Sequence, residues 1–190
     1  MSKKVMLRNV RLSYEHIFTP SAFDDSQDAK YSATFIIPKD HADLPALKRA
    51  MFEAGQETFP SDFAGTGWPK GYTCSLKDAD KDTDSNGELL ADKNEAYKGC
   101  YILEANSVRR PLVVGRRKEA ITEEDGIIYS GCYVNASLGA AGYTFGKVKK
   151  GVKCYLNGVQ FVKDGERFGA NASDDFDALD GDDDADDFMA

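Results

Sequence analysis

Basic and aromatic side chains crowd the second half of this 190-residue chain. Arg109-Arg110 and Arg116-Arg117-Lys118 bracket the short apolar run 112–114, and Lys147, Lys149, Lys150 and Lys153 follow closely on Tyr143 and Phe145. The chemistry open to such a set is non-covalent. Guanidinium and ammonium groups neutralise phosphates whatever the sequence they belong to, and aromatic faces stack on bases of any identity, at roughly 1–3 kcal/mol per stacked base. A solvated charged face would account for any one of these clusters alone. The interleaving of rings with cations points instead to a polyanion that carries flat bases.

Strands must position these groups. Period-2 alternation over 129–138 sets Cys132, Val134, Ala136 and Leu138 on one face and Tyr129, Gly131, Tyr133, Asn135 and Ser137 on the other. The first set reads as core. The second reads as a stacking platform with its two tyrosines roughly 13 Å apart, or alternatively as rings covering a secondary core beneath a long insertion. Over 151–162, Val152, Cys154 and Leu156 oppose Lys153, Tyr155 and Asn157, and Gly158 permits a bulge before Val159 and Phe161.

Upstream, Val5, Leu7, Val10, Leu12 and Tyr14 alternate with a phase slip between Leu7 and Val10, as a bulged strand would. A second strand covers 30–38 and is closed by Pro38. Leu44, Leu47, Ala50, Met51 and Ala54 recur at helical spacing within 41–59, with Asp40 or Asp43 as N-cap and Pro60 as the stop. One helix of about 15–19 residues is predicted. Gly, Pro, Asp and Lys dominate 61–94, an extended, partly mobile insertion whose one short strand, 68–76, offers Trp68 and Tyr72 to close over a bound ligand. Strand character returns at 97–108, 112–115, 126–138 and 151–162. This order implies an antiparallel α+β domain or small barrel, not a βαβ repeat.

Charge divides the chain differently. Of 32 acidic residues, nine are aspartates within 171–190, which leaves 23 against 24 basic residues in the body and places the net charge of −8 in the last segment. So single-signed a block, with so little to bury, is predicted to be a disordered acidic tail. It includes Asp182, Asp183, Asp184, Asp186 and Asp187, followed directly by Phe188-Met189. An acidic peptide with a hydrophobe near its end suits capture by a basic-rimmed apolar pocket, whereas a solubilising extension gains nothing from the ring.

Other chemistries find little support. The stretch from Asp82 imitates the start of a calcium loop, with Asp84, Asn86 and Gly87 in place, but its twelfth position is Lys93 where a bidentate carboxylate belongs. Serine-hydrolase, zinc-protease and phosphate-loop motifs are absent. A metal-dependent nuclease or other DNA-modifying enzyme built on Glu104, Glu123, Glu124 and Asp125 stays open as an alternative, as does a docking protein that works through the tail alone. Cys74, Cys100, Cys132 and Cys154 lack the close pairing of a zinc site and read as reduced, buried thiols; no metal or cofactor is expected. Neither a signal-peptide apolar segment nor a membrane-spanning run is present in the sequence.

The runs YSATFIIPK, YSGCYVNASLGAAGY and GVKCYLNGVQFVKDGERFG resemble the phage-encoded single-stranded DNA-binding proteins first catalogued as a domain of unknown function. That resemblance implies a mainly β, OB-fold-like five-stranded barrel over 1–169, with an insertion at about 61–96 and the acidic tail at 170–190. The tail is similar to those of bacterial and T7-type phage single-strand binders, although here Met189 and Ala190 follow Phe188. The expected partners are single-stranded DNA and replication or recombination proteins captured through the tail, in the cytoplasm of an infected bacterium, with a homodimer open as the assembly state. On the alternation argument, Tyr129, Tyr133, Tyr143, Phe145 and Tyr155 stack bases, and Arg109, Arg110, Arg116, Arg117, Lys147, Lys149, Lys150 and Lys153 follow the phosphates.

Overall fold

The computed structural model describes residues 2–22, 28–146 and 148–169, so Lys147 and the acidic segment lie outside the described residues. Its elements run β1 (Lys3–Ser21), β2 (Lys30–Pro38), α1 (Leu44–Thr58), β3 (Tyr72–Cys74), β4 (Leu76–Asp78), α2 (Leu90–Lys93), β5 (Cys100–Ser107), β6 (Leu112–Val114), β7 (Tyr133–Phe145) and β8 (Lys149–Lys163). Short 3₁₀ turns occupy Glu95–Tyr97 and Glu123–Asp125.

The phase slip in β1 is a bulge. Val5 and Leu7 are buried, then Val10 and Leu12, and the register with β7 shifts between Leu7 and Val10. Asn9 absorbs the extra residue at φ 54°, a region that asparagine tolerates better than most side chains, and its N–H donates to Asn135 Oδ1 at 2.9 Å. Thus a single strand keeps its apolar groups inward while it bends to serve two neighbours.

Those neighbours build a barrel. β1 pairs antiparallel with β2 and β7, β2 with β5, and β7 with β8. The ring closes where β5 meets β8, with Ala105 opposite Cys154 and Asn106 opposite Tyr155, and this pair is parallel. A purely antiparallel sheet was expected, but five strands cannot alternate direction all the way around a closed ring, so one pairing must be parallel. β8 acts as the spine, because β3, β5 and β6 take successive stretches of its other edge, all parallel to it.

The interior is filled by Leu7, Leu12, Phe35, Ile37, Leu103, Val134, Leu138, Val152, Cys154 and Leu156, all essentially inaccessible. α1 covers one end with Leu44, Leu47, Met51 and Ala54, packing on β1, β7 and β8. Asp43 does occupy its N-cap, but the carboxylate makes no capping bond; it accepts from the backbone N–H of Arg8 at 2.9 Å and from Arg8 Nη1 at 3.1 Å, tying the helix to β1. Pro45 enters the first turn, where its missing N–H costs nothing.

Two features depart from the sequence reading. The insertion is built, carrying β3, β4 and the second helix α2, and it lays Ala79, Leu90, Ala91 and Tyr97 over Ile36 and Ile102 on the outside of β2 and β5. This second cluster explains the unbroken apolar run Phe35-Ile36-Ile37, whose strand is buried on both faces. Furthermore, β7 begins at Tyr133, not at Tyr129, because Gly131 at φ 114° interrupts the extended backbone and Cys132 N–H turns back to the Tyr129 carbonyl.

Candidate nucleic-acid interface

With β2 and β5 partly covered by the insertion, the outer surface of β7 and β8 is left for a ligand. Odd-numbered residues of β7 face outward from Tyr133 to Phe145, alternating with buried Val134, Ala136, Leu138 and Ala140. On β8, Lys153 and Tyr155 stand opposite Ala141 and Gly139, so small residues of one strand leave room for large ones of the other. The expected bulge near Gly158 is present, since Ser137 pairs with Gly158 while Leu138 pairs with Leu156, which loops Asn157 out. The register also draws one row across the barrel: Tyr155 lies opposite Asn106, Asn106 opposite Ser32, and Ser32 opposite His16.

The rings and cations sort into two groups near opposite ends of β8. In the first, Lys153 Nζ lies 5.3 Å from the ring centre of Tyr143 and 4.8 Å from that of Tyr155. Lys150 Nζ sits 5.8 Å from Phe59 and 5.9 Å from Tyr72. Hydroxyls join the two pairs, as Thr73 Oγ1 and Tyr143 OH share a hydrogen bond of 2.6 Å. Tyr72 donates its phenol to Asp62, which holds that phenol up at about 12, and Trp68 donates its indole N–H to the Tyr72 carbonyl at 3.0 Å. Phe145 projects from the end of β7, 75% exposed, beside Lys149.

The second group surrounds Tyr129 and Tyr133. Lys163 Nζ lies 4.7 Å and Arg11 5.9 Å from the Tyr133 ring; Arg11 is also 4.2 Å from Phe168, and Arg167 is 3.9 Å from Tyr129. Arg11 donates to the carbonyls of Gly131 and Glu166, which pins the 164–168 segment against the start of β7. Tyr129, freed from the strand, donates to Asp164 Oδ1 and accepts from Gly165 N–H, and its burial pushes the phenol's proton affinity up. Beside it opens a cleft of about 910 Å³ lined by Arg116, Arg117, Arg167, Ile127 and Phe161. Neither tyrosine covers the secondary core, which lies on β2 and β5. Between the groups, β5 leaves β8 at Asn106/Tyr155 and β6 joins it at Leu112/Gly158, so the connection that carries Arg109 and Arg110 runs along the β8 edge between them.

The cations of this surface are without carboxylate partners among the described residues, a property they share with Lys4, Lys30, Lys48, Arg49, Lys70 and Lys77 elsewhere. Among the described residues the salt bridges involve Lys3, Arg8, Lys39, Lys81, Lys93 and Lys98, none of them beyond residue 98. Arg109, Arg110, Arg116, Arg117, Lys149, Lys150, Lys153, Lys163 and Arg167 form no ion pair with a described residue. Lys153 is the clearest case: burial against two rings, with Lys30 nearby, depresses its ammonium below the ordinary lysine range, and no carboxylate offsets this. A desolvated cation without a counter-charge is costly unless a ligand supplies one.

Alternation brought together Tyr143, Phe145, Tyr155, Lys149 and Lys153 on one face, whereas Lys150 lies on the opposite face of β8, the face of Val152 and Cys154, over Phe59 and Tyr72 at the strand's end. Alternation also placed Tyr129 on the strand, where the structure does not, and it missed Arg11, Lys163, Arg167, Phe59 and Phe168. Lys163 and Arg167 carried a signal, being cations directly after a basic-aromatic strand; Arg11 and Phe59 come from remote segments and carried none. The calcium-like turn is closed internally: Lys93, at the twelfth position, pairs with Asp84, whose Oδ1 accepts from the N–H groups of Asn86 and Glu88. Asp125 is committed to Thr122 in a capping box and Glu123 accepts from Thr19, and no metal-binding cluster of carboxylates, histidines or thiols occurs among the described residues. The four cysteines form no disulfide, and no helix among the described residues is long and apolar enough to cross a membrane.

Known proteins resemble this chain along most of its length. Residues 3–189 match the family described as "Enterobacter phage Enc34, ssDNA-binding protein". Protein p50 of the Acyrthosiphon pisum secondary endosymbiont phage 1 is 33% identical over 181 residues, covering 93% of this chain and 94% of its own. Among solved structures, the single-stranded DNA-binding protein of bacteriophage Enc34 in complex with ssDNA superposes with TM-score 0.72 at 24% identity, covering 87% of this chain and 89% of that one. The single-stranded DNA-binding protein gp2.5 of bacteriophage T7 shares the fold at TM-score 0.60 and 13% identity, with both chains fully covered. The chain therefore belongs to the Enc34-type family of phage single-stranded DNA-binding proteins, a family of binders and not of enzymes.

Proposed function

We propose that this protein coats single-stranded DNA without sequence preference during phage DNA replication and recombination, using the outer surface of β7 and β8. Bases stack on Tyr143, Tyr155 and Phe145 while Lys149 and Lys153 hold phosphates, with Lys150, Tyr72 and Trp68 closing one flank at the β3 edge. Arg109 and Arg110 carry the strand toward the second group, where Tyr129 and Tyr133 stack and Arg116 and Arg117 hold phosphates, joined there by Arg11, Lys163 and Arg167. Ten residues of β7 separate Tyr133 from Tyr143, about 34 Å at the strand rise, so the path spans several nucleotides. The observation that carries this reading is the set of cations resting on aromatic rings with no carboxylate partner. Because such rings and cations contact features common to all nucleotides, binding is tolerant of sequence and steeply salt-dependent.

In the same reading, residues 1–169 form the DNA-binding body and the acidic segment 170–190 competes for its surface and recruits replication proteins. A binding series decides the matter: the full-length protein and a version ending at Gly169, on single- and double-stranded oligonucleotides, at two salt concentrations. The expected result is a preference for single strands that tightens on truncation, most visibly at low salt. Equal affinity for duplex and single strand would refute the stacking surface, and unchanged affinity on truncation would refute the competition.

A further inference from the structure

A cavity opens at the flank of this surface. Between α1 and the insertion, Phe52, Trp68, Leu76 and Tyr101 wall a pocket of about 520 Å³ whose rim carries Lys48 and Arg49. Its lining contains no acidic residue. Lys48 Nζ lies 4.0 Å from the ring centre of Tyr101, which fixes positive charge at the mouth of an apolar cavity, and Trp68, one of its walls, is 37% exposed. A nucleic-acid strand would need a continuous row of cations, whereas this site offers two at one edge and hydrocarbon within. The chemistry it fits is an aromatic side chain preceded by carboxylates.

The sequence contains one such segment, Asp182-Asp183-Asp184-Ala185-Asp186-Asp187-Phe188. Nineteen residues separate Gly169 from Phe188, an extended reach of up to about 65 Å, which is ample to cross the domain. We propose that this pocket holds Phe188 of the same chain, with Asp186 and Asp187 beside Lys48 and Arg49. The proposal rests on the reading of the acidic segment as a competitor of DNA, and it locates the anchor of that competition. Trp68 is hydrogen-bonded to Tyr72, whose ring carries Lys150, so a segment anchored at Trp68 brings Asp182–Asp184 within reach of Lys150. The aromatic tip is thus held at the flank of the DNA path, with the carboxylates at its β3 edge.

The test uses the full-length chain with a photoreactive benzoylphenylalanine in place of Phe188. Irradiation should crosslink it to residues 48–52 or 66–76 within one chain, and Lys48→Glu with Arg49→Glu should cut the yield at least five-fold. In parallel, Phe188→Ala should increase acrylamide quenching of Trp68, the chain's single tryptophan. Crosslinks on residues 133–163, crosslinks joining isotopically distinct chains, or quenching that does not change would each overturn the proposal. Neutralising the five aspartates of 182–187 to asparagine separates the two readings. If this tightens DNA binding while crosslinks fall elsewhere, competition stands and the pocket assignment fails; crosslinks in the pocket with unchanged DNA affinity support the anchor and refute the competition.

Discussion

Lys153→Met removes one cation from between Tyr143 and Tyr155 while keeping an unbranched side chain of similar length to fill the space. Each phosphate contact to a single strand contributes about 0.7 to the slope of log K against log salt. Extrapolated from 1 M to 0.1 M salt, that is 0.7 of a decade, so the substitution should weaken binding about five-fold, or about 1 kcal/mol, and flatten the slope by about 0.7. The effect of pH has opposite signs on binding and on folding. Burial depresses the folded-state ammonium, so between its own value and the ordinary ~10.4 of an unfolded lysine the unfolded chain holds more protons, and stability rises with pH. Phosphate needs the charged form, so affinity falls through the same window. Removing this unpaired cation relieves its desolvation but also loses its contacts with the two rings, so the Tm should change little while binding weakens. Fluorescence anisotropy of a labelled oligonucleotide at four salt concentrations, with thermal melts of the free protein, measures both. An unchanged salt slope, or weaker binding accompanied by a lower Tm, would show that Lys153 is a packing residue and that the phosphate assignment is wrong.

Gly131→Ala would place a Cβ 2.0 Å from the Glu166 carbonyl oxygen at a positive φ, so the 164–168 segment must move and take Arg167 off Tyr129; a clear loss of stability should accompany weaker DNA binding, and a neutral melt would contradict it. Asp84 is held at about 2, chiefly by Lys93, so the stability it contributes is complete above the unfolded value of roughly 3.9 and is lost as pH falls from there to about 2. Asp84→Asn should therefore flatten the acid-denaturation curve between those limits, and an unaltered curve would mean the ion pair adds nothing. Burial pushes the Cys154 thiol up to about 12, so at pH 7 it should resist alkylation until the protein is unfolded; rapid labelling of the native state would reveal opening of the β5–β8 seam.

The sequence by itself determined the local features: the bulge between Leu7 and Val10, the apolar stripe of α1, and the in-out alternation of β7 and β8 that exposes Tyr143, Lys153 and Tyr155. Each depends on the spacing of side chains a few residues apart, which the geometry of a strand or helix translates directly into a face. Only the tertiary structure decided that the barrel closes through a parallel β5–β8 pair, because that follows from the number of strands meeting in one ring and not from any stretch of chain. It also divided the expected single row of tyrosines into two groups, since Gly131 breaks the strand ahead of Tyr133 and leaves Tyr129 to Arg167 and the 164–165 turn. Arg11 comes to the Tyr133 ring through pairing across more than a hundred residues, and Phe59 to Lys150 through the docking of α1. Most telling is the charge on this surface. Counting residues showed a nearly neutral body, but only folding paired Lys3, Arg8, Lys39, Lys81, Lys93 and Lys98 with carboxylates and left the cations of β8 and its neighbouring loops without one among the described residues.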